Sequence, residues 1–337
     1  MSDSVSSKAL TIPAVAKHTA TIIFIHGLGD TGFSWEGVAD NANTDPALQH
    51  IKWILPHAPP RPVTANNGAV MPSWFDIKAF RAGFSQDEDE KGMLETVGLI
   101  QSLIQAEVDA GLDPSRIVLG GFSQGAAMTL LTGLTTPTKL AGLVVLSGRL
   151  PLKDKIKSMV SPHATSVPIF WGHGEADPLV AFEWGSASKD FLIAEVGIPP
   201  AASKEDPTGL NFNSYPRLVH SASTEEINDV KAWLRKIMPA FLAKRRHFQN
   251  QPFCHDPWLR HHQPKHPSLQ VWTPSLNVDV CDLRIGHQGT MYIWLSTCVL
   301  QHEAPDCIHH DIFQHGKFYI MMSSARKLGN NTHRRFC

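Results

Sequence analysis

Short apolar runs, separated by stretches with helical apolar spacing, dominate the first 243 residues of the chain. Such runs are typical of strands buried on both faces of a parallel sheet. They occupy residues 21–25, 52–55, 117–119, 143–146 and 167–171, with a last edge strand at 213–216.

Apolar residues recur at helical spacing between and after these runs. The clearest set is Met93, Val97, Ile100, Ile104 and Val108. It follows the acidic run 87–90, which complements the dipole of a helix N-terminus, and ends at Gly111. A later helix begins with the capping-box pair Ser223 and Glu226 and keeps one apolar face as far as Phe241. Strands that alternate with helices predict an α/β fold with a doubly wound, mostly parallel sheet.

The composition is that of a folded, nearly neutral protein. The chain has 337 residues, 42% of them hydrophobic, and carries 30 Lys and Arg against 31 Asp and Glu. This balance does not favour nucleic acid or an anionic membrane as a partner. The first residues lack a signal-peptide pattern and a glycine for myristoylation, and no run reaches the length of a bilayer span. We therefore expect a cytoplasmic enzyme, with the nucleus as a second location.

The composition changes near residue 244. All five cysteines and 11 of the 18 histidines lie beyond it, among prolines and scattered tryptophans without a sustained period. Zinc-binding Cys and His spacings are absent from the sequence, so no metal site is predicted. We expect a flexible segment at 1–18, a catalytic domain at 19–243, and an unassigned extension at 244–337 that is largely disordered or non-homologous. The alternative for the extension is an appendage that contacts a membrane or a partner.

The sequence Gly-x-Ser-x-Gly at residues 121–125 follows the run 117–119 and leads directly into helix-forming residues. This order of strand, sharp turn and helix is that of a nucleophile elbow, which lifts Ser123 to a helix N-terminus where a developing anion is stabilised. A glycine-rich turn without catalytic function is the alternative. Ser123 is the candidate nucleophile.

A second glycine-rich turn follows the strand at 21–25. It contains Gly27 and Leu28, and backbone N–H groups at this place are free to stabilise an oxyanion. The segment 57–76 is long and irregular, and its Met71, Trp74 and Phe75 indicate either a packed loop or a pocket wall.

A serine nucleophile needs a general base, which a carboxylate orients. In this architecture the three follow in the order Ser, Asp or Glu, His. Among the later histidines, His163 precedes its strand and His173 leaves no intervening carboxylate loop, whereas His220 follows the last strand. Asp177 is the favoured carboxylate, and Glu175 in the same loop is its rival.

Five collinear motifs carry a resemblance to a known family. They are 62–66 (PVTAN), 71–77 (MPSWFDI), 121–128 (GFSQGAAM), 173–180 (HGEADPLV) and 220–221 (HS). Over residues 19–241 the chain resembles the acyl-protein thioesterases, the lysophospholipase-like carboxylesterases of the α/β-hydrolase fold.

This resemblance implies roles for individual residues. Ser123 resembles the nucleophile, Asp177 the carboxylate and His220 the base, while the backbone N–H groups of Leu28 and Gln124 resemble the oxyanion hole. Candidate pocket residues are Met71, Trp74, Phe75, Arg149 and Leu179. Arg149 stands where family members commonly have an aromatic residue, and Arg217 replaces a glycine usual before the base.

The resemblance also implies a reaction. It is the hydrolysis of long-chain acyl thioesters, as in depalmitoylation of S-acylated proteins, with transient contact to a membrane surface and without a cofactor. A carboxylesterase or lysophospholipase acting on small esters or lysophospholipids is the alternative within hydrolases. An acyl-binding protein without turnover is the alternative outside them.

Overall fold

The computed structural model describes residues 9–80, 87–240, 280–285 and 291–295. The chain divides into two units, Met1–His247 and Phe248–Cys337. The strands of the first unit are β1 (Ala9–Ile12), β2 (Ala20–Ile25), β3 (Ile51–Pro56), β4 (Pro60–Val63), β5 (Ala69–Pro72), β6 (Ile117–Phe122), β7 (Gly142–Leu146), β8 (Ile169–Gly174) and β9 (Leu210–Tyr215). Its helices are α1 (Glu36–Asn43), α2 (Glu90–Asp109), α3 (Gln124–Thr135), α4 (Lys153–Met159), α5 (Phe182–Phe191) and α6 (Thr224–Ile237).

Seven of these strands form one sheet in the order β1-β3-β2-β6-β7-β8-β9. All neighbours are parallel except β1 and β3, which run antiparallel. The predicted doubly wound, mostly parallel sheet is therefore confirmed. Because the central strands are parallel, the loops that follow β2, β6, β8 and β9 meet at one edge of the sheet.

Both faces of the sheet are buried, which explains the continuous apolar runs. Along β2, Ile23 and Ile25 pack into a core with α2 and α3, whereas Ile22 and Phe24 point to a second core with α1 and α6. Successive residues of a strand point to opposite faces of the sheet. Each core shields one face of the central strands from water.

Several boundaries differ from the prediction. The segment 1–18 was predicted to be flexible, but its residues Ala9–Ile12 form β1 and pair with Trp53–Pro56 of β3. The segment 57–76 was predicted to be irregular, but β4 and β5 pair within it as an antiparallel hairpin. β8 starts two residues later than predicted and continues to Gly174. α6 ends at Ile237, and Phe241 lies outside the described residues.

The second unit contains two described strands, Val280–Ile285 (β10) and Met291–Leu295 (β11), which pair antiparallel. The sequence showed no sustained period here, so the prediction missed this pair. The rest of the extension lies outside the described residues. Within the part of the chain that the structure describes, no helix has both the length and the apolar character needed to cross a bilayer.

Candidate active site

Ser123 occupies the sharp turn between β6 and α3. Its backbone has φ 56° and ψ −116°, a conformation that residues other than glycine rarely adopt. A Cβ at Gly121 would lie 2.4 Å from the Gly125 carbonyl oxygen, and one at Gly125 would lie 2.1 Å from the Ile25 carbonyl oxygen. Both glycines are therefore required, because strand and helix approach too closely for any side chain.

Ser123, His220 and Asp177 come together at the carboxyl edge of the sheet. His220 Nε2 lies 2.8 Å from Ser123 Oγ, and His220 Nδ1 lies 2.7 Å from Asp177 Oδ2. Since an ionised carboxylate can only accept, Nδ1 carries the ring proton and Nε2 is left to accept from the serine hydroxyl. The ring of His220 also rests against Phe122, with 4.8 Å between centroids. This arrangement can transfer a proton from Ser123 to His220.

Asp177 is buried and held by its own loop. Its Oδ1 accepts hydrogen bonds from Leu179 N and Val180 N, each at 2.9 Å. Burial alone raises the pKa of this carboxyl, but the hydrogen bond and charge of His220, with the two amides, outweigh it and lower the pKa. Glu175 is exposed, and the carboxylate beside His220 is that of Asp177.

The two predicted oxyanion donors, Leu28 and Gln124, line the same cavity as Ser123. Gln124 is the first residue of α3, so its N–H is among the helix amides without an intrahelical acceptor. Leu28 shares a peptide unit with the carbonyl of Gly27, which lies 2.7 Å from His26 Nδ1. Since the C=O and N–H of a trans peptide point in opposite directions, this hydrogen bond sets the direction of the Leu28 N–H.

The side chain of Gln124 is a second anchor of the site. Its Oε1 accepts the N–H of Trp74 at 2.9 Å, and its Nε2 donates to the Phe75 carbonyl at 2.7 Å. One amide thus fastens the loop after β5 to the nucleophile elbow. Sequence reasoning named Gln124 only for its backbone and missed this contact, because the partners are about fifty residues apart.

A cavity of about 440 Å³ opens beside Ser123 and His220. Of the predicted pocket residues, Phe75, Arg149 and Leu179 line it. Trp74 and Met71 do not. Trp74 is buried and donates from Nε1 to the His26 carbonyl at 2.8 Å. It therefore supports the turn after β2 that carries the Leu28 N–H, called the oxyanion turn below. Further apolar lining comes from Ile77, Ala79, Phe80, Met93, Phe122, Ala127, Pro151, Val180 and Trp184.

Arg149 places a charge in this largely apolar wall. Its Nη1 donates to Glu88 Oε1 at 2.8 Å, and Glu88 Oε2 accepts the Leu152 N–H at 2.7 Å. Both charged side chains line the cavity. The ion pair joins the segment before α2 to the segment before α4. Sequence reasoning flagged Arg149 but missed Glu88, which reads as part of a solvated acidic run.

Arg217 occupies a backbone position that favours glycine, with φ 63°. This conformation explains why a glycine is usual there, since a Cβ disfavours the left-handed region by roughly 1–2 kcal/mol. His220 nevertheless reaches Ser123 and Asp177, so the substitution leaves the geometry of the three side chains intact.

The sequence profile of the phospholipase/carboxylesterase family matches residues 7–238. The acyl-protein thioesterase 1 of Cryptococcus neoformans var. neoformans serotype D is 48% identical over 237 residues, which cover 69% of this chain and 98% of that protein. That of Yarrowia lipolytica is 45% identical over 228 residues, covering 68% and 96%.

Solved structures show the same similarity. The crystal structure of Arabidopsis thaliana SOBER1 matches with a TM-score of 0.59 and 36% identity, over 65% of this chain and 99% of that one. Zea mays acyl-protein thioesterase 2 matches with a TM-score of 0.58 and 31% identity, over 68% and 98%. These matches confirm the predicted α/β-hydrolase fold and the family resemblance. The chain belongs to the phospholipase/carboxylesterase family of α/β hydrolases.

Proposed function

We propose that this protein is a serine hydrolase that cleaves long-chain acyl thioesters and thereby depalmitoylates S-acylated proteins. The observation that carries the proposal is the continuous hydrogen-bonded series Ser123, His220, Asp177 beside an apolar cavity. The names of two relatives reported above, both acyl-protein thioesterases, support the substrate class.

In the first half of the reaction, Ser123 Oγ attacks the carbonyl carbon of the thioester while His220 Nε2 takes the hydroxyl proton. The carbonyl oxygen becomes an oxyanion, which the N–H groups of Leu28 and Gln124 stabilise. Collapse of this intermediate breaks the carbon–sulfur bond, and His220 gives its proton to the leaving cysteine sulfur. The acyl group is then an ester of Ser123.

In the second half, His220 accepts a proton from water as the water oxygen attacks the acyl ester. The oxyanion forms again at the same two N–H groups. His220 then returns the proton to Ser123 Oγ, which releases the fatty acid. Asp177, ionised because its pKa is low, holds the ring of His220 and stabilises its charged form in both halves.

The mouth of the cavity suits contact with a lipid surface, where a palmitoylated protein resides. Leu179 is 54% exposed and Phe80 is 39% exposed, and both line the cavity. Val219, next to His220, is 52% exposed. Exposed apolar side chains therefore line the cavity from two segments, and a third precedes the catalytic histidine in the chain. They support a transient membrane contact during catalysis.

Lysophospholipids are the second substrate class that we propose. Arg149 supports it, because a guanidinium in the cavity wall can bind a phosphate oxygen. Comparing turnover of a palmitoylated peptide with that of a lysophospholipid tests the substrate class. Labelling by a fluorophosphonate that depends on Ser123 tests the chemistry, and a protein that binds acyl chains but is not labelled would be a carrier rather than an enzyme.

A further inference from the structure

His173 is a buried histidine next to the catalytic carboxylate. It lies near the end of β8 with no exposed surface, and its Nε2 is 2.9 Å from the Val180 carbonyl oxygen. A carbonyl only accepts, so Nε2 carries the ring proton. The same nitrogen lies 3.8 Å from Asp177 Oδ2, the oxygen that binds His220. That separation is too long for a hydrogen bond.

His173 and Asp177 both form hydrogen bonds with the backbone of Val180. Asp177 Oδ1 accepts the N–H of Val180, and the carbonyl of Val180 accepts from His173 Nε2. The two ends of the loop 174–180 are therefore fastened together, with the carboxylate between them. Each contact restricts the orientation of Asp177 relative to His220.

The surroundings of His173 fix its ring. The ring meets Phe182 edge-on, with 5.8 Å between centroids. A Cβ at Gly185 would lie 2.4 Å from Nδ1, so only glycine at this position of α5 leaves room for the imidazole. Burial lowers the pKa of His173 against the opposing effects of Val180, Asp177 and Glu183, while His220 lowers it further. The ring is therefore neutral, and it carries no positive charge that would draw Asp177 away from His220.

We infer that His173 is a positioning residue that acts through Asp177. Its hydrogen bond to Val180 fixes the loop that holds Asp177, and this keeps the carboxylate in place to bind His220. The inference rests on the proposed hydrolysis. The test uses the full chain and a small activated thioester. His173→Leu removes the donor but keeps an apolar side chain, and His173→Gln keeps an N–H at a comparable reach. Gly185→Ala displaces the ring without altering it.

We expect His173→Leu to lower kcat about 10- to 100-fold with KM nearly unchanged, because a small displacement of a catalytic group has effects of this size. His173→Gln should keep activity within about threefold, and Gly185→Ala should resemble His173→Leu. In an Asp177→Asn background, where the ionised carboxylate is already lost, His173→Leu should reduce kcat less than about threefold further.

A matched control is His50→Leu. His50 is also buried and lies 3.0 Å from a carbonyl, that of Met238, but it precedes β3 at the opposite edge of the sheet. This variant should lose stability and keep kcat. Equal losses from His173→Leu in both backgrounds, or a Gln variant as impaired as the Leu variant, overturn the inference. Wild-type protein that is not labelled at Ser123 refutes the proposed function instead.

Discussion

The imidazole of His26 donates from Nδ1 to the carbonyl of Gly27 at 2.7 Å, and its Nε2 accepts the Ala58 N–H at 3.1 Å. One neutral ring thus joins the oxyanion turn to the chain beyond β3. Burial lowers the pKa of His26, which keeps the ring neutral so that Nε2 can accept from Ala58 while Nδ1 donates to Gly27.

Replacing His26 should therefore impair catalysis through the peptide that carries the Leu28 N–H. We expect His26→Leu to lower kcat by about 10- to 100-fold, somewhat less than the roughly 10²- to 10³-fold loss on removing an oxyanion donor. His26→Asn, which can retain the donor to Gly27, should be less affected. Steady-state kinetics measures both variants. Equal kcat in wild type and His26→Leu would show that the turn keeps its geometry without the ring.

Glu226 should make the protein less stable as pH rises. Its carboxyl is fully buried beside Gly172, and burial raises its pKa to about 8. The unfolded chain ionises this group near its ordinary value of about 4.3, so it binds fewer protons than the folded protein up to about pH 8. The group's contribution to the free energy of unfolding therefore falls by about 1.4 kcal/mol per pH unit in that window.

Glu226→Gln removes this effect with little change of shape. We expect the variant to be more stable than wild type at pH 8, by on the order of 4 kcal/mol, and nearly equal to it at pH 4.5. Urea denaturation at the two pH values gives the comparison. A difference that is the same at both would mean that Glu226 is ionised in the folded protein.

Arg149 should control the choice between substrate classes. Arg149→Leu removes one of the two cations that line the cavity and leaves Lys78 in place. We expect kcat/KM for a lysophospholipid to fall about tenfold, while that for a palmitoylated peptide rises or stays the same, since a charge-assisted hydrogen bond contributes about 1.5–3 kcal/mol. Glu88→Gln is the control for the ion pair itself. Equal losses of kcat/KM on both substrates would show that Arg149 stabilises the cavity wall and does not bind the phosphate.

Much of this architecture could be predicted from the sequence, for physical reasons that differ by element. The strands β2, β6 and β7 are buried on both faces, so an unbroken apolar run was sufficient to find them. The edge strand β1 has no such run, because none of Ala9–Ile12 is fully buried, and it was missed. In the same way, the pairing of β4 with β5 depends on a partner strand rather than on local pattern.

The residues of the candidate site also differ in whether local sequence could predict their roles. Ser123, Asp177 and His220 sit in short motifs whose chain order is informative, so sequence reasoning could name them. The pocket roles predicted for Trp74 and Met71 were wrong. The direction of the Trp74 side chain depends on a distant contact with His26, and Met71 lies in the hairpin strand β5. The supporting roles of His26, His173 and the Gln124 side chain were missed for the same reason.

The extension 244–337 should be dispensable for catalysis. Ser123, Asp177, His220, Leu28 and Gln124 all precede it. A chain ending at Ala243 should keep kcat/KM within a few-fold of the full chain. It should also be more soluble, since tryptophans and cysteines of the extension are removed. Kinetics on a soluble thioester and on a membrane-bound acyl protein separates the outcomes. Unfolding of the shortened chain makes the extension structural, and a loss confined to the membrane substrate makes it a targeting segment.

In the proposed reaction Ser123 carries the acyl group during thioester hydrolysis, and a rate comparison with a variant that lacks the hydroxyl shows whether it does. The measurement is kcat for a palmitoylated peptide thioester with purified wild type and with Ser123→Ala. Only the oxyanion hole and binding remain in the variant, so we predict a fall on the order of 10⁴- to 10⁶-fold with the fold intact by circular dichroism. A folded Ser123→Ala protein that retains more than about a tenth of the wild-type rate would show that Ser123 is not the nucleophile.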